Sequence, residues 1–209
     1  MNERKNLVKQ IFNSLKKEYG DVRCTLIYKT PLELLIATCL AAQCTDARVN
    51  IVTKELFLKY KSASDFANAD CNELEQYIKS TGLYKNKAKN IISACKTLVD
   101  KFDGNVPNNM DDLLTLAGVG RKTANLILGE VFGKDAVVVD THCIRLTNRI
   151  GLTKNKDATK IENDLKKIID GEKQLEFCHL MVAHGRNICK ARIPLCSECV
   201  IHDVCKKII

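Results

Sequence analysis

Four cysteines stand near the end of the chain, Cys189, Cys196, Cys199 and Cys205, in the order C-x6-C-x2-C-x5-C. Thiolates gathered this closely suit a metal far better than core filling. Each sulfur is a soft anionic donor, and four of them satisfy either a tetrahedral zinc ion or a [4Fe–4S] cluster. Zinc ribbons more often carry two C-x2-C knuckles separated by a longer loop. The single C-x2-C here tilts the choice towards iron without deciding it. Lys190 and Arg192 lie between the first two cysteines, where a loop with anchored ends can offer cations to a polyanion, although solvating the loop is a plainer use for them.

A second group of residues precedes the cysteines. In Leu116-Ala117-Gly118-Val119-Gly120-Arg121-Lys122, two glycines permit backbone conformations closed to other residues and let amide N–H groups face outward where a helix begins. A helix start with free amides takes a phosphate without reading sequence. An ordinary turn between helices uses the same glycines; the basic Arg121-Lys122 pair that follows favours the phosphate. Lys122 is either a surface phosphate contact or a nucleophile. To attack carbon its amine must lose a proton, which the positive end of a helix dipole favours and a nearby carboxylate can accept. Asp140, delivered by the apolar Val137-Val138-Val139, is the candidate carboxylate.

Helices must position these groups. Thr30-Pro31-Leu32-Glu33 reads as a capping box with proline at the first helical position, and the following Leu34 to Ala42 is apolar on all sides, as in a central buried helix. Asp70 caps a helix that stops near Gly82. From Lys85 to Phe102 the apolar residues Ala88, Ile91, Ile92, Cys95, Leu98, Val99 and Phe102 form one helical face. Asn109 starts a helix running into Leu116, and Arg121 to Phe132 forms the next, so the glycine turn joins a helix-hairpin-helix. Val137–Val139 is too short and isolated for a strand and reads as a buried connection. Asp140 caps a helix to Gly151, and two more span Ala158–Ile169 and Leu175–His184. The fold class is all-α.

The 209 residues are enough for one large or two small domains, and with 45% apolar residues no run nears the roughly 20 needed to span a bilayer. The N-terminus is charged rather than signal-like, so the expectation is a cytoplasmic protein with no membrane association. Eleven cysteines in such a chain are reduced thiols rather than disulfides; Cys39, Cys95 and Cys178 fall on apolar helical faces and read as packing. The net charge of +8 suits a polyanionic partner, and six lysines with one acid fall between Lys79 and Lys101, which is also what a solvated helix face looks like.

Taken in order, these motifs resemble the endonuclease III family of DNA glycosylase/lyases. The likeness rests on Leu116 to Asn125, on Val139-Asp140-Thr141-His142 and on the cysteine loop. It extends to Pro31-x-Glu33-Leu34-Leu35-Ile36-Ala37, Ala42-Gln43-x-Thr45-Asp46 and Gly82-Leu83-Tyr84-x-x-Lys87-Ala88, nearly the whole chain. One departure is visible: the family hairpin usually reads Leu-Pro-Gly-Val-Gly, and Ala117 stands at the proline position, which loosens the turn slightly and removes no donor.

The resemblance implies two lobes: a six-helix domain over residues 23–134 carrying the hairpin, and a discontinuous iron–sulfur domain over 1–22 and 135–209. It implies a monomer acting on double-stranded DNA that contains damaged pyrimidines or abasic sites. Lys122 is then the Schiff-base nucleophile, Asp140 the catalytic aspartate, and the four cysteines ligands of a [4Fe–4S] cluster. Leu116, Gly118, Val119, Gly120, Arg121, Lys190 and Arg192 meet the DNA backbone. Gln43 and Leu83 fill the gap left by a flipped nucleotide, where unstacking costs a few kcal/mol. Capping a helix explains Asp46 equally well, and His142 reads as structural. Three rival readings are an adenine glycosylase, a non-catalytic hairpin module and an electron carrier. The first needs an acid in the buried helix, and Leu34 to Thr45 contains none.

Overall fold

A computed structural model describes residues 2–208, with the side chain of Asn2 left aside. Those residues form helices and connections and no strand, the all-α class that the periodicity predicts. The chain divides into two compact units, Cys24–Phe132 and the discontinuous Met1–Arg23 with Gly133–Ile209.

The Cys24–Phe132 unit contains α2 (Pro31–Leu40), α3 (Asp46–Lys59), α4 (Ala63–Ala67), α5 (Cys71–Ile78), α6 (Tyr84–Phe102), α7 (Met110–Leu114) and α8 (Arg121–Phe132). That is seven helices where six are expected, two of them, α4 and α7, only five residues long. Its core is α2, whose Leu34, Leu35, Ile36, Ala37 and Leu40 are all buried. Each buried Leu or Ile there contributes about 1.5–3 kcal/mol. Side-chain caps start the helices around it. Thr30, Thr45, Ser62, Asp70 and Asn109 each accept the N–H three residues on.

Two local expectations change. The Thr30 hydroxyl accepts from Glu33 N–H, but the Glu33 carboxylate takes the Lys29 N–H instead of closing a capping box on Thr30. The cap of α3 is Thr45 and not Asp46, whose carboxylate accepts the Thr25 hydroxyl at 2.5 Å. The lysine-rich run also divides. Lys87 lies on the buried stripe of α6 with Ala88, Ile91, Ala94, Cys95 and Leu98, and is only 5% exposed. Its Nζ donates to the carbonyls of Leu40 and Thr81, both at 2.8 Å. Burial draws its pKa below the usual lysine value, against the opposing pull of the Cys44 and Cys39 thiols.

The discontinuous unit contains α1 (Asn2–Tyr19), α9 (Thr141–Ile150), α10 (Ala158–Lys166) and α11 (Gln174–Asn187), followed by the cysteine loop. Here α10 is shorter than the periodicity predicts and α11 longer. Val137, Val138 and Val139 are buried in an irregular connection, tied by the Val138 N–H to Cys178 Sγ at 3.3 Å. On α1, Val8, Ile11 and Leu15 are buried, and Lys16 pairs with Glu176 of α11. Among the described residues no helix is long and apolar enough to cross a membrane.

Replacing Lys87 by Met keeps most of the stem and leaves the carbonyls of Leu40 and Thr81 without their donor. The expected cost is about 2–4 kcal/mol, read as a lower urea midpoint at unchanged slope.

Candidate functional site

The hairpin lies within the Cys24–Phe132 unit. Val119 N–H donates to the Leu116 carbonyl at 3.1 Å and closes the turn, and Ala124 N–H donates to the Gly120 carbonyl at 2.9 Å and starts the ladder of α8. The amides of Arg121, Lys122 and Thr123 therefore precede that ladder, as the first amides of any helix do. Gly118 has φ +77°, and a Cβ there would also lie 3.0 Å from Asn90 Nδ2. The torsion calls for glycine, and a Cβ would in addition press on the Asn90 side chain. Leu116 and Val119 are 2% and 8% exposed, so of the predicted contacts these two can offer only backbone to a ligand. Gly118 and Gly120 are exposed, Arg121 is half-buried, and Lys122 stands exposed in the first turn of α8.

Gln43 and Leu83 follow the two carbonyls that Lys87 holds, by three and two residues respectively. Each is a non-glycine residue in the left-handed region, with φ +55° and +49°. Such a conformation costs roughly 1–2 kcal/mol and favours glycine or asparagine. Leu83 is nevertheless a leucine, 54% exposed, with no side-chain capping bond. A strained, solvent-facing leucine at a helix start does not behave as a packing residue.

In the discontinuous unit, Asp140 is the N-cap of α9, its Oδ1 accepting the Cys143 N–H at 2.7 Å. The carboxylate is half-buried. The apolar 137–139 run delivers it, as its sequence context suggests.

Cys189, Cys196, Cys199 and Cys205 line one cavity, walled also by Leu146, Ile150, Ile188 and Ile201. Among the described residues no three His, Cys, Asp or Glu side chains are gathered as a metal-ion site, so the sulfurs share a cavity rather than a point. The surroundings suit anionic sulfur. Arg149 Nη1 lies 3.5 Å from Cys189 Sγ, the Lys207 N–H donates to Cys205 Sγ at 3.4 Å, and His184 Nε2 lies 3.4 Å from Cys199 Sγ. Burial raises the pKa of the Cys199 and Cys205 thiols, and the neighbouring cysteines add to the rise. Four thiolates in an apolar chamber repel one another, and a bound cationic centre removes that conflict. The donor set therefore fits a metal centre held by sulfur.

Residues that local sequence does not flag hold the loop. Arg149 donates to the carbonyls of Lys190 and Ala191, both at 2.7 Å. Arg145 donates to the carbonyls of Gly185 and Cys189 at 3.0 Å and meets His142 Nδ1 at 3.1 Å. A Cβ on Gly185 would lie 2.5 Å from His142 Nδ1, so glycine is what admits this packing. The only sequence signal for the arginines is their i, i+4 spacing on one face of α9. Lys190 and Arg192 are exposed on the loop thus held.

Residues 36–170 match the HhH-GPD superfamily base excision DNA repair protein family. The chain is 49% identical to an endonuclease III of Synechocystis sp. over 206 residues, covering 98% of this chain and 94% of that one. It superposes on a solved non-covalent endonuclease III–DNA complex with a TM-score of 0.91 and 43% identity, covering 97% of this chain and 95% of that one. A trapped endonuclease III–DNA covalent intermediate gives the same TM-score and identity, covering 97% and 96%.

Arg149→Ala removes the two bonds that pin the carbonyls of Lys190 and Ala191. Trypsin is expected to nick this loop severalfold faster in the variant while cleavage elsewhere is unchanged, which timed proteolysis with mass spectrometry would check.

Proposed function

The chain belongs to the HhH-GPD superfamily and, within it, to the endonuclease III family, and from that premise we propose how its own residues act. It is a bifunctional DNA glycosylase and abasic-site lyase of base excision repair, with double-stranded DNA as its partner. Oxidised pyrimidines are the lesion class we assign, with the reduced cytoplasm as the setting that eleven cysteines outside any disulfide suit. One observation carries the residue assignment: an exposed lysine, Lys122, in the first turn of the helix that follows the glycine hairpin.

The hairpin amides and Arg121 take DNA phosphates. The target nucleotide leaves the stack, because C1′ is out of reach inside a duplex. Gln43 and Leu83 occupy the space it vacates; their left-handed backbones and the exposure of Leu83 support that reading. The Lys122 amine attacks C1′ as the glycosidic bond breaks and the base departs with its electron pair, taking up a proton. Asp140 supplies the carboxylate that accepts the ammonium proton and offsets positive charge on the sugar. The sugar ring then opens as the C1′–O4′ bond breaks and O4′ takes up a proton, and the resulting protonated Nζ=C1′ imine acidifies C2′. Loss of a C2′ proton expels the 3′ phosphate by β-elimination, and water releases Lys122.

Cys189, Cys196, Cys199 and Cys205 would hold a [4Fe–4S] cluster, supported by the family and by the shared apolar cavity with its donors. When bound, the cluster fixes the ends of the loop that carries Lys190 and Arg192. Those two cations then lie along the DNA backbone.

Borohydride is expected to trap wild-type protein on an abasic duplex, and Lys122→Ala to abolish trapping; full trapping by that variant would refute the nucleophile. Asp140→Asn keeps a good N-cap, so stability should stay within about 0.5 kcal/mol while turnover falls at least a hundredfold. Replacing Lys190 and Arg192 together by Ala should weaken DNA binding and reduce the salt slope by roughly 2, and an unchanged slope removes them from the interface.

A further inference from the structure

One hydrogen-bonded chain in the discontinuous unit has no part in the reaction above. The Tyr19 hydroxyl at the end of α1 lies 2.9 Å from Nδ1 of His184 on α11, and the opposite ring nitrogen, Nε2, lies 3.4 Å from Cys199 Sγ. The two rings meet edge to face at 5.9 Å, and His184 is 1% exposed. One imidazole thus links the end of α1 to a sulfur of the cysteine loop.

The direction of this chain follows from bookkeeping of protons. A cysteine bound to iron is a thiolate without a proton, so Cys199 can only accept. The hydrogen must then be on Nε2. On a neutral ring this leaves Nδ1 as a lone pair, which accepts the O–H of Tyr19. The other donors to sulfur in the cavity, Arg149 to Cys189, the Lys207 amide to Cys205 and the Ile201 amide to Cys199 itself, are groups that have no alternative tautomer. Only the His184 contact depends on a second residue to select its donor.

We propose that His184 donates an N–H···S bond to the cluster ligand Cys199, and that Tyr19 fixes the tautomer that makes it a donor. The pair sets the electron affinity of the cluster. A hydrogen bond to a ligating sulfur offsets negative charge. It favours the reduced over the oxidised cluster and raises the reduction potential. Tyr19 is a positioning residue: its hydroxyl meets the imidazole and not the sulfur, and it acts through that ring. The inference rests on the reading of the four cysteines as cluster ligands.

The test uses holoprotein of wild type, Tyr19→Phe, His184→Leu and His184→Gln, each matched for iron and acid-labile sulfide. Voltammetry gives the midpoint potential and resonance Raman the terminal Fe–S stretches. His184→Leu should lower the potential and raise a terminal stretch, because the ligand–iron bond strengthens when the sulfur loses its donor. Tyr19→Phe should shift both in the same direction by less. His184→Gln, whose amide can still donate, should remain closer to wild type than His184→Leu. If His184→Leu does not fold, Tyr19→Phe carries the test alone, since it removes one oxygen. Equal potentials and equal stretches at full loading in every folded variant overturn the relay and leave the cluster standing. Wild-type protein that takes up no iron on anaerobic reconstitution overturns the cluster reading and the relay with it.

Discussion

An ammonium group taken out of water has to find oxygen acceptors, and the Cys24–Phe132 unit is arranged around one that does. Lys87 leaves α6 beside Ala88, and its charge ends on the carbonyls of Leu40 and Thr81. Leu40 is the last residue of α2 and Thr81 the last of a 3-10 turn, positions where carbonyls otherwise lack a helical partner. One side chain therefore satisfies two element ends. It also fixes the starting points of the two short segments whose next features are left-handed residues, Gln43 and Leu83. Backbone strain survives only where the surroundings over-determine it. Here that determination comes from a charge with nowhere else to go.

The discontinuous unit solves a similar problem with different chemistry. Its final loop has no regular structure beyond the short turn Cys196–Glu198, so its shape depends on groups that reach it from elsewhere in the unit. Arg145 and Arg149 project from α9 and gather the carbonyls of Gly185, Cys189, Lys190 and Ala191. The planar guanidinium suits this task, since several donors in one plane can serve acceptors from different residues. The four cysteines of the loop face the same apolar cavity as these anchors.

What the sequence revealed and what it hid divide by range. Caps are local, and Thr30, Asp70, Asn109 and Asp140 begin the helices predicted for them. The hairpin glycines and the cysteine spacing are local too. The family resemblance joined them into a fold and a reaction. Lys87 was hidden because six lysines in one run resemble a solvated face, although residues 87, 88, 91, 95 and 98 trace the buried stripe on which it lies. Asp46 matched a cap by position, yet the neighbouring Thr45 hydroxyl took that place. Arg145, Arg149 and His184 find partners tens of residues away or across α1, α11 and the final loop. No periodicity encodes such pairings.

The Lys16–Glu176 and Tyr19–His184 contacts have a consequence for the order in which the molecule is made. A ribosome releases α1, with Val8, Ile11 and Leu15 on its apolar face, some 150 residues before α11. The Cys24–Phe132 unit has all its own segments to hand as soon as Phe132 emerges. The helix α1 must wait through that synthesis with its sticky side uncovered, and it finds cover only when α11 appears. During translation, α1 is made well before the helix that completes its packing.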